Sequence, residues 1–393
     1  MLLHEITLTH LLSFEKTKLE LKQLNILIGH NGSGKSNLIE AIGLLQSAPS
    51  GIAGSIRESG GIADWIWQGT PPFQPTGIET VVEYPATSPT NIRYGIEFSG
   101  INQRLEIRDE CIGNENYIFK ASNPNQFFFY YRNGIPYINF KDNSSASGKV
   151  RQLRREDIDI EKSILAQRRD PDHYPELTYL ADVFAKIRIY RDWTFGRQTA
   201  PRLPQKTDLP SDFLLENCQN LGLVLNKLGN IPAAKSVIVE ALNALYPSVT
   251  DFGVNIEGGS VQVFLHEGRF PIPATRLSDG TLRYLCLLAI LCHPNPPPLI
   301  CIEEPELGLH PDALNQLADL MKLASERTQL IVTTHSDLLV DAFTNSPDDV
   351  VIFEKDGEAS HVKRLDATEL GVWLNKYTLG QMRQSGHIGG NRW

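Results

Sequence analysis

The segment Gly29-His30-Asn31-Gly32-Ser33-Gly34-Lys35-Ser36 narrows what this chain can fold into more than any other. It fits G-x-x-x-x-G-K-[ST], a phosphate-cradling loop that has meaning only between a strand and a helix. Both flanks comply. Leu24-Asn25-Ile26-Leu27-Ile28 is a short apolar run that reads as a buried strand, and Leu38, Ile39, Ile42 and Leu45 then recur at helical spacing. Glycines let the backbone turn its N–H groups toward phosphate oxygens, and the helix N-terminus adds partial positive charge. Lys35 is placed to reach the β- and γ-phosphates of ATP, and Ser36 to offer a hydroxyl to Mg2+. A chance glycine turn gives this pattern on the order of 1% of the time in a chain this long.

Three later segments carry compatible chemistry. Leu299-Ile300-Cys301-Ile302-Glu303-Glu304-Pro305 is an apolar strand ending in two acids. The first acid suits Mg2+ through its water shell, and the second suits orientation of an attacking water. Leu277-Ser278-Asp279-Gly280-Thr281 opens a helix; a hydroxyl, a glycine and a free helix N-terminus make an anion site, although a plain N-cap has the same residues. Thr333-Thr334-His335-Ser336 follows a further apolar strand, where a histidine can contact a γ-phosphate. A lone histidine is more often structural; its position downstream of the two acids turns the reading toward function.

Composition sets the frame. The 393 residues suffice for one large or two ordinary domains, and 41% hydrophobic content supports a sizeable core. A net charge of −9 argues against a uniformly basic nucleic-acid coat but allows local basic patches. Two such patches occur. Arg151, Arg154, Arg155, Arg168 and Arg169 form one; Arg188, Tyr190, Arg191, Trp193, Arg197 and Arg202 form the other. Each suits DNA phosphates, and the plain alternatives are a solvated face for the first and a protein interface for the second. The five cysteines form no CxxC pair and read as buried thiols. The start of the chain does not resemble a signal peptide, and no run of eighteen apolar residues occurs, so a cytoplasmic location without a membrane span is expected.

Periodicity predicts strands at 2–8, 17–21, 81–84, 92–98, 104–107, 117–119, 127–131 and 137–140, with a loop at 50–78, a turn at Asn133-Gly134 and a polar linker at 142–149. Helices are expected at 158–169, 176–186, 211–228 and 233–245. Strands follow at 251–256, 260–266, 299–302, 329–333 and 349–353, with helices after Gly280 and Pro311. The division expected is a P-loop lobe with a β-subdomain (1–150), a helical arm (151–250) and a C-terminal lobe (251–393).

Together, GHNGSGKSN (29–37), RLSDGTLRYL (276–285), IEEPELGLHP (302–311) and TTHS (333–336) resemble the ATP-binding-cassette ATPases of the RecF, Rad50 and structural-maintenance-of-chromosomes branch. The pattern is similar to compact RecF-like AAA-family members with a short arm; Asn37, the opening segment 6–29 and the tail 389–393 fit that group. The resemblance implies an α/β ABC-type P-loop NTPase head with an antiparallel β-subdomain and a helical insertion. It implies ATP and Mg2+ bound at Gly29, His30, Asn31, Gly32, Ser33, Gly34, Lys35, Ser36 and Asn37, with Ser36 and Glu303 toward the metal. Glu304 would be the catalytic carboxylate and His335 the switch histidine. Ser278, Asp279, Gly280 and Thr281 would form the signature that completes the ATP site of a second copy, in a head-to-tail homodimer. Asp279 stands where glycine is usual, His310 where an aspartate is usual, and Gln68 is no more than a loop candidate for the glutamine such proteins use. The biological role implied is DNA repair or a DNA-linked process; the alternative is a phage-defence ATPase that controls a partner effector such as a Toprim-like nuclease.

Overall fold

A computed structural model describes residues 1–69, 74–84, 90–116, 127–132, 134–142 and 145–389. The strand expected at 117–119, Asn133 of the expected turn and the tail residues 390–393 lie outside the described residues. Strands β1 (Leu3–Leu11), β2 (Phe14–Glu20) and β3 (Leu24–Gly29) lead into helix α1 (Lys35–Ser47). Short helices α2 (Ile52–Glu58) and α3 (Ile62–Trp65) follow. Strands β4 (Thr76–Val82), β5 (Ile92–Ile101), β6 (Arg104–Asn114), β7 (Phe127–Arg132), β8 (Ile135–Asp142) and β9 (Ser145–Gln152) come next. Helices α4 (Ile164–Gln167) and α5 (Pro175–Ala185) precede strands β10 (Arg188–Tyr190) and β11 (Gln205–Lys206). Then come α6 (Leu221–Gly229), α7 (Pro232–Leu245), β12 (Val249–Glu257), β13 (Ser260–Glu267), β14 (Phe270–Pro273) and α8 (Asp279–Leu291). The chain continues through β15 (Leu299–Glu303), α9 (Ala313–Ser325), β16 (Gln329–Thr333), α10 (Asp337–Asp341), β17 (Val350–Asp356), β18 (Ala359–Arg364), α11 (Ala367–Leu374) and α12 (Leu379–Gln384).

These elements form two compact units, one of residues 1–22, 29–187 and 352–363, the other of 23–28, 188–351 and 364–393. The first is built on an eight-stranded antiparallel sheet in the order β2-β1-β4-β5-β6-β7-β8-β9. Strand β7 alternates as a sheet with one more covered face should, with Phe127, Phe129 and Tyr131 buried and the residues between them less so. Helix α1 buries Leu38, Ile39, Ile42 and Leu45, the residues whose spacing predicted it.

The second unit holds a parallel array, β10-β15-β16-β3. Strands buried on both faces need continuous apolar runs rather than alternation. Leu299, Ile300, Cys301 and Ile302 of β15, and all of β16, are buried accordingly. Helix α8 is buried from Thr281 to Leu291 on every side, as a helix apolar all round should be. A smaller antiparallel sheet places β13 between β12 on one side and β11 and β14 on the other. All five cysteines are buried free thiols. No helix among the described residues is long and apolar enough to cross a membrane.

Several elements differ from the sequence expectation. The expected loop at 50–78 contains α2, α3 and the start of β4, because burial of Ile52, Ile56, Ile62 and Trp65 outweighs the helix-weakening glycines, Gly54 within α2 included. Of the expected linker at 142–149, residues 145–149 lie in edge strand β9, since an edge strand tolerates polar residues. The helix expected at 158–169 shrinks to α4: Asp159 accepts from the Glu161 amide, and a local Asp bond of this kind competes with helix. The helix expected at 211–228 begins only at Leu221. Asn220 explains the delay, donating to the Pro210 and Phe213 carbonyls at 2.7 and 2.9 Å and accepting from the Leu215 amide at 2.9 Å.

Glu110 of β6 ties strand to helix inside the first unit. Its carboxyl is buried and accepts from Ser163 Oγ at 2.5 Å, from the Ile164 amide at the start of α4 at 2.8 Å and from Tyr94 of β5 at 3.1 Å. Burial nevertheless pushes its pKa up to about 7 from an ordinary 4.5. The folded carboxyl thus keeps its proton over a range where the unfolded one has released it. The stabilisation is complete below pH 4.5 and is lost as pH rises through 7, by about 3 kcal/mol in all. Urea unfolding from pH 4.5 to 7.5 should show the stability difference between native chain and Glu110→Gln shrinking over that window. Parallel profiles would mean that Glu110 is ionised in the fold throughout.

Candidate nucleotide site

The loop at 29–36 begins on the last residue of β3 and ends in the first turn of α1. Gly29 has φ +156°, and a Cβ there would lie 2.4 Å from the Phe353 carbonyl oxygen. Gly34 has φ +104°, and a Cβ would lie 2.4 Å from Ser360 Oγ and 2.8 Å from Ser13 Oγ. Both positions therefore need glycine for conformation and for space. Gly34 is the N-cap of the thirteen-residue helix α1 and provides no side-chain cap, at the helix end that suits an anion. Lys35 is 5% exposed, and its Nζ donates to the Gly29 and His30 carbonyls at 2.9 and 3.0 Å. The ammonium is thus held across the loop it belongs to. Ser33 Oγ is buried with no hydrogen-bond partner among the described residues, and Ser36 is exposed. Glycines without room for Cβ, an uncapped helix end, an orphaned hydroxyl and an accessible serine fit a phosphate group with its metal. His30 Nδ1 lies 2.7 Å from the Asn31 carbonyl; Asn31 and Gly32 are exposed, and Asn37 is half-buried.

The acidic strand end and the histidine meet in the second unit. Strand β15 pairs with β16 in parallel register, Glu303 opposite Thr333. Strand β16 also pairs with β3, and the Thr334 amide donates to the Leu27 carbonyl at 3.1 Å. The C-terminal ends of the neighbouring parallel strands β15 and β16 thus carry the two acids and the histidine segment, at the edge where open α/β sheets bind ligands.

Glu304 has φ +44°, an uncommon conformation for a residue with a side chain. Its amide donates to Thr333 O at 3.1 Å and Thr333 Oγ1 at 3.2 Å, and its carbonyl accepts from the Arg283 guanidinium at 3.1 Å. So held, its carboxylate is 3.5 Å from His335 Nε2, with both side chains about one-third exposed. Glu306 holds the histidine segment from beneath, accepting from Thr334 Oγ1 at 2.6 Å and the His335 amide at 2.8 Å. Arg383 donates to the His335 carbonyl at 3.2 Å.

Arg283 lies over the rings of Trp193 and Phe195, 5.4 and 5.6 Å from their centroids, and burial lowers its pKa from the ordinary guanidinium value. Trp193 Nε1 donates to the Glu303 carbonyl at 3.1 Å, Tyr190 is fully buried and Arg202 is 7% exposed. Trp193 thus supports the acidic strand end, and Tyr190 and Arg202 are buried, whereas Arg191 and Arg197 are exposed, so only part of the second basic stretch lies at the surface.

Ser278 is the N-cap of α8, its Oγ accepting from the Thr281 amide at 3.0 Å and lying 2.7 Å from Thr281 Oγ1. Gly280 needs to be glycine: a Cβ would lie 2.4 Å from the Gly308 carbonyl oxygen. Asp279 is paired with Arg202. The plain N-cap reading of this segment is therefore correct as geometry and leaves the α8 terminus open to a second role. His310 and Asp312 are an exposed pair, Nδ1 to Oδ2 3.3 Å, and Gln68 is exposed in the first unit.

Sequence reasoning assigned no role to Glu306, Thr333, Arg283 or Arg383, and it read Arg202 only as part of a basic stretch. Glu306 and Arg283 lie inside the segments singled out, at 302–311 and 276–285. What marked them was position alone, since a buried arginine and a surface one look alike in sequence.

The sequence matches the family model described as "AAA domain, putative AbiEii toxin, Type IV TA system" over residues 24–341. Among solved structures, the Smc head domain with an extended coiled coil bound to the C-terminal domain of ScpA, from Pyrococcus furiosus, aligns with a TM-score of 0.58 and 14% identity over 95% of this chain and 99% of that one. The Smc head bound to the C-winged helix domain of ScpA gives 0.56 and 16% over 94% and 99%. The Smc head domain with a coiled coil and joint from Pyrococcus yayanosii gives 0.53 and 12% over 95% and 99%. No curated protein matches the chain. Identities this low speak to fold alone, and the fold is that of an ABC-type P-loop ATPase head. The chain belongs to the AAA-domain family of that description, built on the head architecture of SMC proteins.

Proposed function

We propose that the chain binds ATP with Mg2+ and hydrolyses it to ADP and phosphate, as an ATP-gated head-to-tail homodimer. The observation that carries hydrolysis is Glu304, held at φ +44° by hydrogen bonds from its amide and to its carbonyl, with its carboxylate 3.5 Å from His335. A backbone strained by about 1 kcal/mol or more persists where the surroundings over-determine it, and such residues cluster at active sites. Glu304 would accept a hydrogen bond from the attacking water and turn it in line with the γ-phosphate. His335 would hold the carboxylate and reach the same phosphate. Lys35 would bind the β- and γ-phosphates, Ser36 and Glu303 the metal. Mg2+, when bound, neutralises charge on the phosphates. Phosphoryl transfer rests on positioning and charge stabilisation, so no covalent intermediate with the chain is needed.

The dimer reading rests on α8. Ser278, Asp279, Gly280 and Thr281 lie at a helix terminus that is exposed at Ser278 and Asp279, and its backbone approaches Gly308 too closely for any side chain at 280. Such a terminus suits an anion brought by another molecule. The family description names a type IV toxin–antitoxin system, which favours control of an effector protein, such as a nuclease subunit, over DNA repair as the output. The inward-facing Tyr190, Trp193 and Arg202 point the same way, because they leave fewer side chains for DNA. Salt-dependent DNA binding by the purified chain would reverse that preference.

Lys35→Ala should weaken ATP binding by about 10- to 100-fold, the worth of a charge-assisted contact to phosphate. Unchanged affinity by fluorescent-nucleotide titration would remove the loop from the site. Glu304→Gln should keep ATP affinity while lowering phosphate release by about 10²- to 10⁴-fold, and should accumulate ATP-bound dimers by light scattering. Hydrolysis at the native rate in this variant would require another residue as the catalytic carboxylate.

A further inference from the structure

Asp279 poses an electrostatic problem. A helix N-terminus attracts an anion through its free amides, and an acid in the first turn repels that same anion. Asp279 is the first residue of α8, and its side chain is 68% exposed at the end the dimer would offer to its partner's γ-phosphate. A glycine there would raise no such conflict.

Arg202 faces the acid from the loop between β10 and β11. Its side chain is 7% exposed, and one amino group of the guanidinium pairs with Asp279 Oδ1. That amino group also donates to the Phe195 carbonyl at 3.1 Å. The other donates to the carbonyls of Ala274 at 3.2 Å, Thr275 at 3.4 Å and Leu277. These carbonyls lead directly into Ser278. One cation therefore fixes the approach to the helix cap and balances the charge at its first residue. A planar fork of donors suits this task, and its charge is permanent.

We infer that Arg202 is the positioning residue of the signature, and that its pairing with Asp279 is what lets an acidic α8 terminus receive a phosphate. Without Arg202, the carboxylate faces the incoming anion uncompensated. With Asp279 also removed, the helix end regains its attraction although the loop bonds stay lost. A role confined to bracing the loop gives no such recovery.

The inference rests on the dimer reading, and the test separates the two. The full chain carrying Glu304→Gln is titrated with ATP and Mg2+, and dimerisation is followed by light scattering; nucleotide affinity is measured in parallel at protein concentrations too low for dimers. Adding Arg202→Met should raise the ATP needed for half-dimerisation about tenfold, comparable with one uncompensated charge at a helix end, and leave monomer affinity unchanged. Arg202→Met with Asp279→Gly should return to within about threefold of the parent. Arg202→Lys, which keeps the charge and much of the volume, should also stay within about threefold, and it serves if the methionine variant does not fold. A double variant as impaired as Arg202→Met, or a lysine variant as impaired as the methionine one, overturns the charge role. A parent that stays monomeric at saturating ATP overturns the dimer reading, and this inference with it.

Discussion

The last rung of the parallel ladder between β15 and β16 determines where chemistry can occur in this chain. Glu303 lies opposite Thr333, and the next residue on each strand leaves the sheet. Glu304 then turns through φ +44° because its amide finds two acceptors on Thr333, one backbone and one side chain. Those bonds could not both form if the register slipped by one residue, since a slip would also turn Thr333 to the other face. The continuous apolar runs of β15 and β16 hold the register, so the burial of Leu299 to Ile302 and of Leu330 to Val332 is a condition for placing one carboxylate. Strand β3 pairs with β16 in the same direction, and its last residue is the first glycine of the phosphate loop.

Helix α8 belongs to two places at once. Its N-terminus is the proposed signature, and Arg283, one turn later, donates to the Glu304 carbonyl. Burial of α8 from Thr281 onward leaves it little freedom to shift without disturbing that bond, because close-packed interiors transmit displacement instead of absorbing it. Anything that binds at Ser278 is therefore coupled mechanically to the backbone of the residue read here as catalytic.

Much of this was legible before any coordinates. The glycine loop carries its own context, and β15, β16, α1 and α8 follow from periodicity because their burial is simple: all faces, or one stripe. The misreadings have a common physical source. Helices α2 and α3 are too short to show a period between their flanking glycines. Asn220 holds the segment ahead of α6 in a local network, and a propensity argument cannot see which of its possible partners an asparagine will choose. Strand β9 is polar because it is an edge, and edges follow from topology, not from local sequence. The second basic stretch divides for a related reason: Arg191 and Arg197 are exposed, but only the fold shows the carbonyls that Arg202 and Trp193 serve.

Those carbonyls reveal a shared design in the motif loops. A loop leaves backbone acceptors with no ladder to join, and each buried one must be satisfied or carry a desolvation cost of roughly 1–3 kcal/mol. Here three arginines, each no more than 8% exposed, meet that demand: Arg202 before the signature, Arg283 at Glu304 and Arg383 at His335. A guanidinium serves several carbonyls at once through its planar fork of donors. The same choice brings three positive charges behind loops whose acids, Asp279, Glu304 and Asp337, would otherwise repel a polyphosphate. Asp279 and Asp337 are paired directly with Arg202 and Arg383, and Glu304 is reached through its backbone by Arg283. The chain as a whole is acidic, but the backbone that would face a nucleotide is underlaid by buried cations. A net charge of −9 is for that reason a poor guide to the field at this edge of the sheet.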